Sequence, residues 1–214
     1  MQEEDNQSEY WDRVAWEKTC TLPLDFDLLQ AHVQPDQAVL EYGCGYGRIC
    51  QELVQHGYTN VSGIDSSREM IARGKKEFHE LNLTLFDGKH LPFEKHCFHA
   101  VLLVGVLTSI PDDKAQRHVL QIIDHVLKPG GLLCICDFPL QTDKRNFDRY
   151  QKYKEKFGTY GIFELEEGVV LRHHDMNWIE SLTASYEEIH LSRHQVTTMN
   201  GHQAMAFQYF GRKS

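Results

Sequence analysis

The sequence predicts an α/β protein: a doubly wound, mostly parallel sheet of seven strands, closed by an antiparallel hairpin and carrying an insertion after the fifth strand. Three observations carry that expectation. Short apolar runs alternate with helix-periodic segments from residue 38 to residue 136, and such alternation implies βαβ units with helices on both faces of a parallel sheet. The run at residues 98–104, FHAVLLV, is nearly all apolar, as a strand covered on both faces must be. Near the end, two strand-like segments, 186–196 and 202–210, flank Asn200-Gly201, and Asn-Gly favours a hairpin because both residues tolerate positive φ.

Element by element, an acidic tail through residue 9 leads into a helical segment at 10–16 with Tyr10, Trp11 and Trp16, then a helix at 27–32 stopped before Pro35. Residues 1–37 thus read as tail and cap helices, and 38–214 as the core. A buried strand at 38–42 ends in a glycine-rich loop, and a helix at 48–56 follows with Ile49, Leu53 and Val54 on one face and Gly57 as its stop. A strand at 60–64 ends at Asp65; Ser66 or Ser67 caps a helix running to about residue 81. Strands at 83–86 and 98–104, a helix at 112–127 ended by Lys128-Pro129-Gly130-Gly131, and a strand at 132–136 complete the alternation. The insertion covers about residues 138–175. Its helix carries Phe147, Tyr150, Tyr153 and Phe157 on one stripe, and a small hairpin, 159–165 and 169–173, turns at Glu166-Glu167-Gly168. It suits a lid over the carboxyl ends of the strands, where α/β sheets bind ligands; the alternative is a surface decoration whose stripe simply docks.

Composition narrows the function classes. The 214 residues are 41% hydrophobic and 25% charged, which excludes global disorder. The longest uncharged apolar run, residues 100–107, falls far short of the roughly 20 residues that span a bilayer, and MQEEDNQSE has no apolar core of a secretory signal. With 22 basic against 31 acidic side chains and a formal charge of −9, a polyanion is repelled, so no nucleic-acid partner is expected. Six cysteines without a C-x-x-C pair suit small buried hydrophobes in a reducing cytoplasm.

The strongest motif is V-L-E-Y-G-C-G-Y-G, residues 39–47, between the first core strand and its helix. Glycines 43, 45 and 47 let backbone approach a ligand, and the helix offers free N–H groups. A dinucleotide fold prefers G-x-G-x-x-G; here the third glycine is one residue early, and Glu41 suits an ammonium group better than a pyrophosphate. The segment resembles motif I of the class I S-adenosylmethionine-dependent methyltransferases, a Rossmann-like fold, and the resemblance extends through most of residues 39–138. It implies S-adenosylmethionine as cofactor and S-adenosylhomocysteine as product. By position, it implies that Glu41 meets the methionine amino group, directly or through water, and that Gly43, Gly45 and Gly47 line the methionine moiety. Asp65, with Ser66 beside it, holds the ribose diol, Met70 packs near the adenine, and Asp87 and Gly88 read the adenine edge. Val104 and Gly105 flank the sulfur, and Tyr10 or Trp11 closes over the cofactor.

The acceptor is expected by elimination. No N-P-P-Y or D-P-P-Y follows the fourth strand, where V-G-V-L-T-S-I-P stands instead, and the fifth strand ends Asp137-Phe138 rather than in the Asp-Asn pair of metal-dependent catechol enzymes, so no metal is expected. A small-molecule acceptor under the insertion remains. Arg149, Tyr150, Glu164 and Arg172 are its candidate binding residues. His174 is the favoured proton acceptor, then His173, with Tyr153 and Tyr160 behind them, since neutral imidazole accepts protons near pH 7. Both histidines also suit purely structural roles. Two other readings stay open: a cofactor-binding partner subunit without catalysis, and a nicotinamide-dependent enzyme.

Overall fold

A computed structural model of the chain describes residues 6–88 and 91–214; the first five residues of the expected tail lie outside it. The elements run α1 (Asn6–Val14), α2 (Phe26–His32), β1 (Val39–Tyr42), α3 (Arg48–Gln55), β2 (Val61–Asp65), α4 (Arg68–Glu77), β3 (Asn82–Leu85) and β4 (Phe98–Val104). After a 3-10 turn at Leu107–Ser109 come α5 (Asp113–Val126), β5 (Leu127–Asp137), α6 (Lys144–Phe157), β6 (Ile162–Glu164), β7 (Val170–Arg172), α7 (Met176–Leu182), β8 (Tyr186–Thr197) and β9 (Gln203–Lys213).

The seven-stranded sheet has the order β3-β2-β1-β4-β5-β9-β8, and β6 and β7 form a separate hairpin. Strands β1 to β5 pair in parallel, whereas β9 runs antiparallel to both β5 and β8. The winding reverses between β1 and β4, which opens a crevice at their carboxyl ends. Because side chains alternate across a strand, each strand feeds two cores. Leu40, Val101, Leu103, Leu133 and Ile135 pack under α5 and α7, while Val39, Ala100, Leu102, Leu132 and Cys134 pack under α2 and α3.

Side-chain caps fix where helices begin. Asp25, Ser67, Asp112, Asp143 and Asp175 each accept a backbone N–H from the first turn of α2, α4, α5, α6 and α7. Of the two serines offered as the α4 cap, Ser67 takes the role. Four boundaries differ from expectation. Strand β5 begins at Leu127, taking in the residues expected as a turn, rather than at 132. Helix α1 begins within the expected tail, at Asn6, and α4 ends at Glu77 rather than near residue 81, because Leu81 must enter the core beside Leu83 and Cys50. The closing hairpin is wider than a two-residue turn: Gly201 N–H bonds Thr198 O, Thr198 N–H bonds His202 O, and of the turn residues Gly201 alone has positive φ, +78°. That is a three-residue loop with glycine in the left-handed position. The α6 stripe is also split: Tyr150 is fully buried but Phe147 is 51% exposed.

Candidate functional site

A cavity of about 690 Å³ opens at the carboxyl ends of β1, β2 and β4. Its floor is the loop after β1. Gly43, Gly45 and Gly47 have φ of +71°, +55° and +84°, the left-handed region that side chains disfavour. Their roles separate on inspection. A Cβ on Gly43 would sit 2.6 Å from Val106 Cγ2, whereas one on Gly45 would touch only Met70 Sδ at 3.9 Å; the ground above Gly45 is open to the cavity. A Cβ on Gly47 would instead strike Leu83 at 2.9 Å, so this glycine lets β3 pack against the loop and lies off the lining, contrary to expectation.

Asp65 ends β2 and faces the cavity. One carboxylate oxygen accepts Gly45 N–H at 2.8 Å and the other accepts Ser67 N–H at 2.8 Å. Burial raises its pKa, opposed by those backbone bonds. Each oxygen keeps lone pairs beyond the bond it already makes. Ser66, Met70, Gly88, Val104, Gly105, Tyr10 and Trp11 also line the cavity. Asp87 lies outside the lining, next to Gly88. Glu41 stands off the lining, which removes the direct contact expected of it: its side chain is buried, accepting Cys50 N–H and Cys50 Sγ–H at 3.0 Å each. It ties the start of α3 to β1, and burial pushes its pKa up to about 8.

Comparison with known proteins is specific at this point. Residues 39–131 match the family model described as a methyltransferase domain. An S-adenosylmethionine-dependent methyltransferase from Methanosarcina mazei has the same fold, with a TM-score of 0.83 at 23% identity, covering 90% of this chain and 99% of that one. Over residues 39–131 the chain is thus similar to methyltransferase domains, and its fold is that of an S-adenosylmethionine-dependent methyltransferase. Methyltransferase-like protein 27 of Homo sapiens is 31% identical over 119 residues, 55% of this chain and 44% of the relative. A demethylmenaquinone methyltransferase of Bacillus cytotoxicus is 32% identical over 129 residues, 56% of this chain and 50% of the relative. The chain therefore spans about half of these relatives. Names among the matches differ in their acceptors; one, from Drosophila melanogaster, is a tRNA N(3)-methylcytidine methyltransferase.

The roof of this cavity comes from three distant segments. Helix α1 crosses the opening: Asp12 accepts Ser67 Oγ–H at 2.6 Å and Glu69 N–H at 3.0 Å, at the start of α4. On its other side α1 meets the turn between β6 and β7. Tyr10 OH donates to Glu167 at 2.7 Å, Lys18 Nζ pairs with Glu167 at 3.0 Å, and Gln7 Nε2 donates to Val170 O at 2.7 Å. Burial, then the bond to Glu167, raises the Tyr10 pKa. Lys18 also bonds Asn200 Oδ1 at 2.7 Å, joining the tip of the β8–β9 hairpin to the same roof.

The insertion contributes Phe138, Arg145, Arg149, Phe163, Leu165, Val169, Leu171 and His173 to the wall. His173, not His174, lies on the cavity. Its Nδ1 is 2.5 Å from Tyr150 OH, whose oxygen already accepts Gln141 N–H at 3.2 Å and a hydrogen bond from Arg149, filling both its acceptor positions. The tyrosine proton therefore goes to Nδ1, and Nε2–H is the polar edge left to His173. Burial, then Arg149, holds His173 well below the ordinary imidazole range, so it is a neutral donor rather than the proton acceptor expected. His174 is fully buried on the other side of the strand, its Nε2 3.9 Å from Asp137 Oδ1. Burial lowers His174 to about 3 and raises Asp137 to about 7, so both are neutral near pH 6.

The remaining candidates stand off the cavity for identifiable reasons. Tyr153 is one turn beyond Arg149 on α6 and packs on Phe157; Tyr160 packs on Tyr150. Tyr150 itself is fully buried and reaches the wall through His173 and Arg149. Glu164 pairs with Lys156 at 2.5 Å. Arg172 is a clasp, donating to Pro111 O at 2.9 Å and Asp113 Oδ1 at 2.5 Å. Sequence reasoning missed Thr198, Met199 and His202 from the hairpin tip, and Thr108, Asp112 and His118 around the start of α5. No local motif marks them; tertiary folding brings them in. Among the described residues, no group of three or more His, Cys, Asp or Glu side chains is placed to hold a metal.

Proposed function

We propose that this protein transfers a methyl group from S-adenosylmethionine to a small-molecule acceptor enclosed beneath residues 138–175. The observation that carries the reading is one continuous cavity, joining the Gly43–Gly45 floor and Asp65 to a roof made by α1, the β6–β7 hairpin and the β8–β9 tip. The residues present fit the cofactor: Gly45 leaves backbone bare toward the cavity, Asp65 has carboxylate lone pairs to offer a ribose diol, and Ile64, Met70 and Phe86 give an apolar wall for a base. The cofactor supplies an already activated methyl group on a sulfonium. The chain's task is then orientation, worth roughly 7–11 kcal/mol where two reactants are held in line. Val104 and Gly105 line the cavity at the end of β4, between the floor and the roof. Where the acceptor must lose a proton, His118 and His202 are the cavity imidazoles besides His173. The roofed cavity and the relative named for demethylmenaquinone support a small acceptor over a macromolecule. Six free cysteines, four of them buried, suit a reducing cytoplasm.

Calorimetry with S-adenosylhomocysteine tests the reading. The parent binds, and Asp65→Ala loses about 10²–10⁴-fold, because two charge-assisted hydrogen bonds contribute roughly 1.5–3 kcal/mol each. A folded Asp65→Ala protein of parent affinity overturns the assignment of the cofactor site. Turnover with no acceptor in a metabolite-extract screen favours the non-catalytic partner subunit.

A further inference from the structure

Taking the cavity as a methyl-transfer site, we infer that its acceptor is an anionic amphiphile, an apolar molecule whose carboxylate or phosphate is clamped by Arg149. The charge inventory of the wall points there. Its two acids lie off the insertion, Asp65 at the end of β2 and Asp112 at the cap of α5, where Ala115 N–H bonds it. Two of its cations are neutralised, Lys18 by Glu167 and Arg48 by Glu52. Arg145 and Arg149, four residues apart on α6, have no carboxylate within ion-pair distance among the described residues. The two acids nearest in sequence are both occupied: Asp143 caps α6 through Asn146, and Asp148 pairs with Lys144.

Arg149 is built to receive an anion. Its guanidinium carbon lies 3.5 Å from the centre of the Phe163 ring, a stack that occupies its face, while its hydrogen bond to Tyr150 takes part of its edge and leaves Nε over. Its Nε is buried without a hydrogen-bond partner, and an orphaned buried donor calls for an acceptor that is not part of the chain. Burial and the like charge of Arg145 hold Arg149 below the ordinary guanidinium range, against the opposing influence of Tyr150 and Asp143; an anion would relieve both. His173 supplies a second, independent donor, since Tyr150 fixes its proton on Nε2. Two donors without an acceptor stand on a wall that is otherwise Phe138, Phe163, Leu165, Val169 and Leu171. A protein of net charge −9 thus turns uncompensated positive charge inward on this one wall.

The test titrates octanoate, octyl phosphate and 1-octanol into the protein, with and without saturating S-adenosylhomocysteine. At least one of the two anions should bind ten times or more tighter than the alcohol, and whichever of octanoate and octyl phosphate leads identifies the headgroup. Arg149→Met should erase that preference while keeping S-adenosylhomocysteine affinity within twofold, and Arg149→Lys should restore part of it. Equal binding of alcohol and anions, no binding of any probe, or an unchanged preference in Arg149→Met overturns the inference. If the parent fails to bind S-adenosylhomocysteine, the methyl-transfer reading falls, and the titration without it still decides whether Arg149 is an anion clamp.

Discussion

Glu167 holds the roof of the cavity together, and replacing it with alanine should loosen that roof without loosening the sheet. Its carboxylate accepts Tyr10 OH at 2.7 Å and pairs with Lys18 at 3.0 Å. A hydrogen bond to a buried charge contributes about 1.5–3 kcal/mol, but the Glu167 side chain is 43% exposed, so solvent screening reduces this one to about 1 kcal/mol, and the half-exposed ion pair adds roughly 0–1 kcal/mol. The contacts from Arg13 to Glu167 O and from Gln7 to Val170 O go through backbone carbonyls and survive the change. A loss of about 1–2 kcal/mol raises the locally open population about 5–30-fold. Hydrogen exchange read by mass spectrometry should show that acceleration in peptides covering 6–16 and 162–172, with peptides from β1 and β4 unchanged. The bond to Tyr10, then that to Lys18, holds the Glu167 pKa below its ordinary value. The clasp is therefore present above the usual carboxylate range and released as pH falls through it. Uniform acceleration that includes β4, or no acceleration in α1, would refute the clasp.

Three further outcomes are expected. Glu41, pushed up to about 8 by burial from an ordinary 4.5, keeps in the folded state a proton that the unfolded chain loses, so its contribution falls as pH rises from 4.5 to 8. Glu41→Gln should flatten the slope of Tm across that window, and an unchanged slope would show that the carboxyl ionises in the fold. Gly43→Ala places a Cβ 2.6 Å from Val106 Cγ2 at a φ of +71°, costing about 1–3 kcal/mol in overpacking alone; urea midpoints measure it, and a neutral result would mean the loop shifts freely. Arg172→Ala, which cuts the bonds to Pro111 and Asp113, should lower Tm by several degrees yet leave S-adenosylhomocysteine affinity at the parent value by calorimetry.

The floor of the cavity was legible because it is written in local rules. Left-handed glycines at 43 and 45 and a carboxylate at a strand end follow from the turn that joins β1 to α3 and from β2 stopping at Asp65. The bounds of β4 could be read directly, since a continuous apolar run has one reading when both faces are covered. The roof was not legible, because its parts meet across long stretches of chain: Tyr10 with Glu167, Lys18 with Asn200. The choice between His173 and His174 shows the difficulty most sharply. Adjacent residues on an extended strand face opposite ways, but which one faces inward depends on the bridge between Pro139 and His174, a pairing no pattern announces. The tautomer of His173 depends in turn on Tyr150, which reads from sequence as just another aromatic on a helical stripe. Glu41 misled for the opposite reason: its position matches a motif, while its side chain serves Cys50.

The place of β9 between β5 and β8 has a consequence during synthesis. Until Gln203–Lys213 has emerged from the ribosome, β5 has β4 on one side and nothing on the other. Its open edge then presents Leu133, Cys134, Ile135 and Cys136, all buried in the finished sheet. Unpaired strand edges of that kind recruit whatever strand comes first. A translation product stopped short of Gln203 is therefore not a weakened form of this protein but an adhesive one, lost to aggregation before its affinity for any ligand matters.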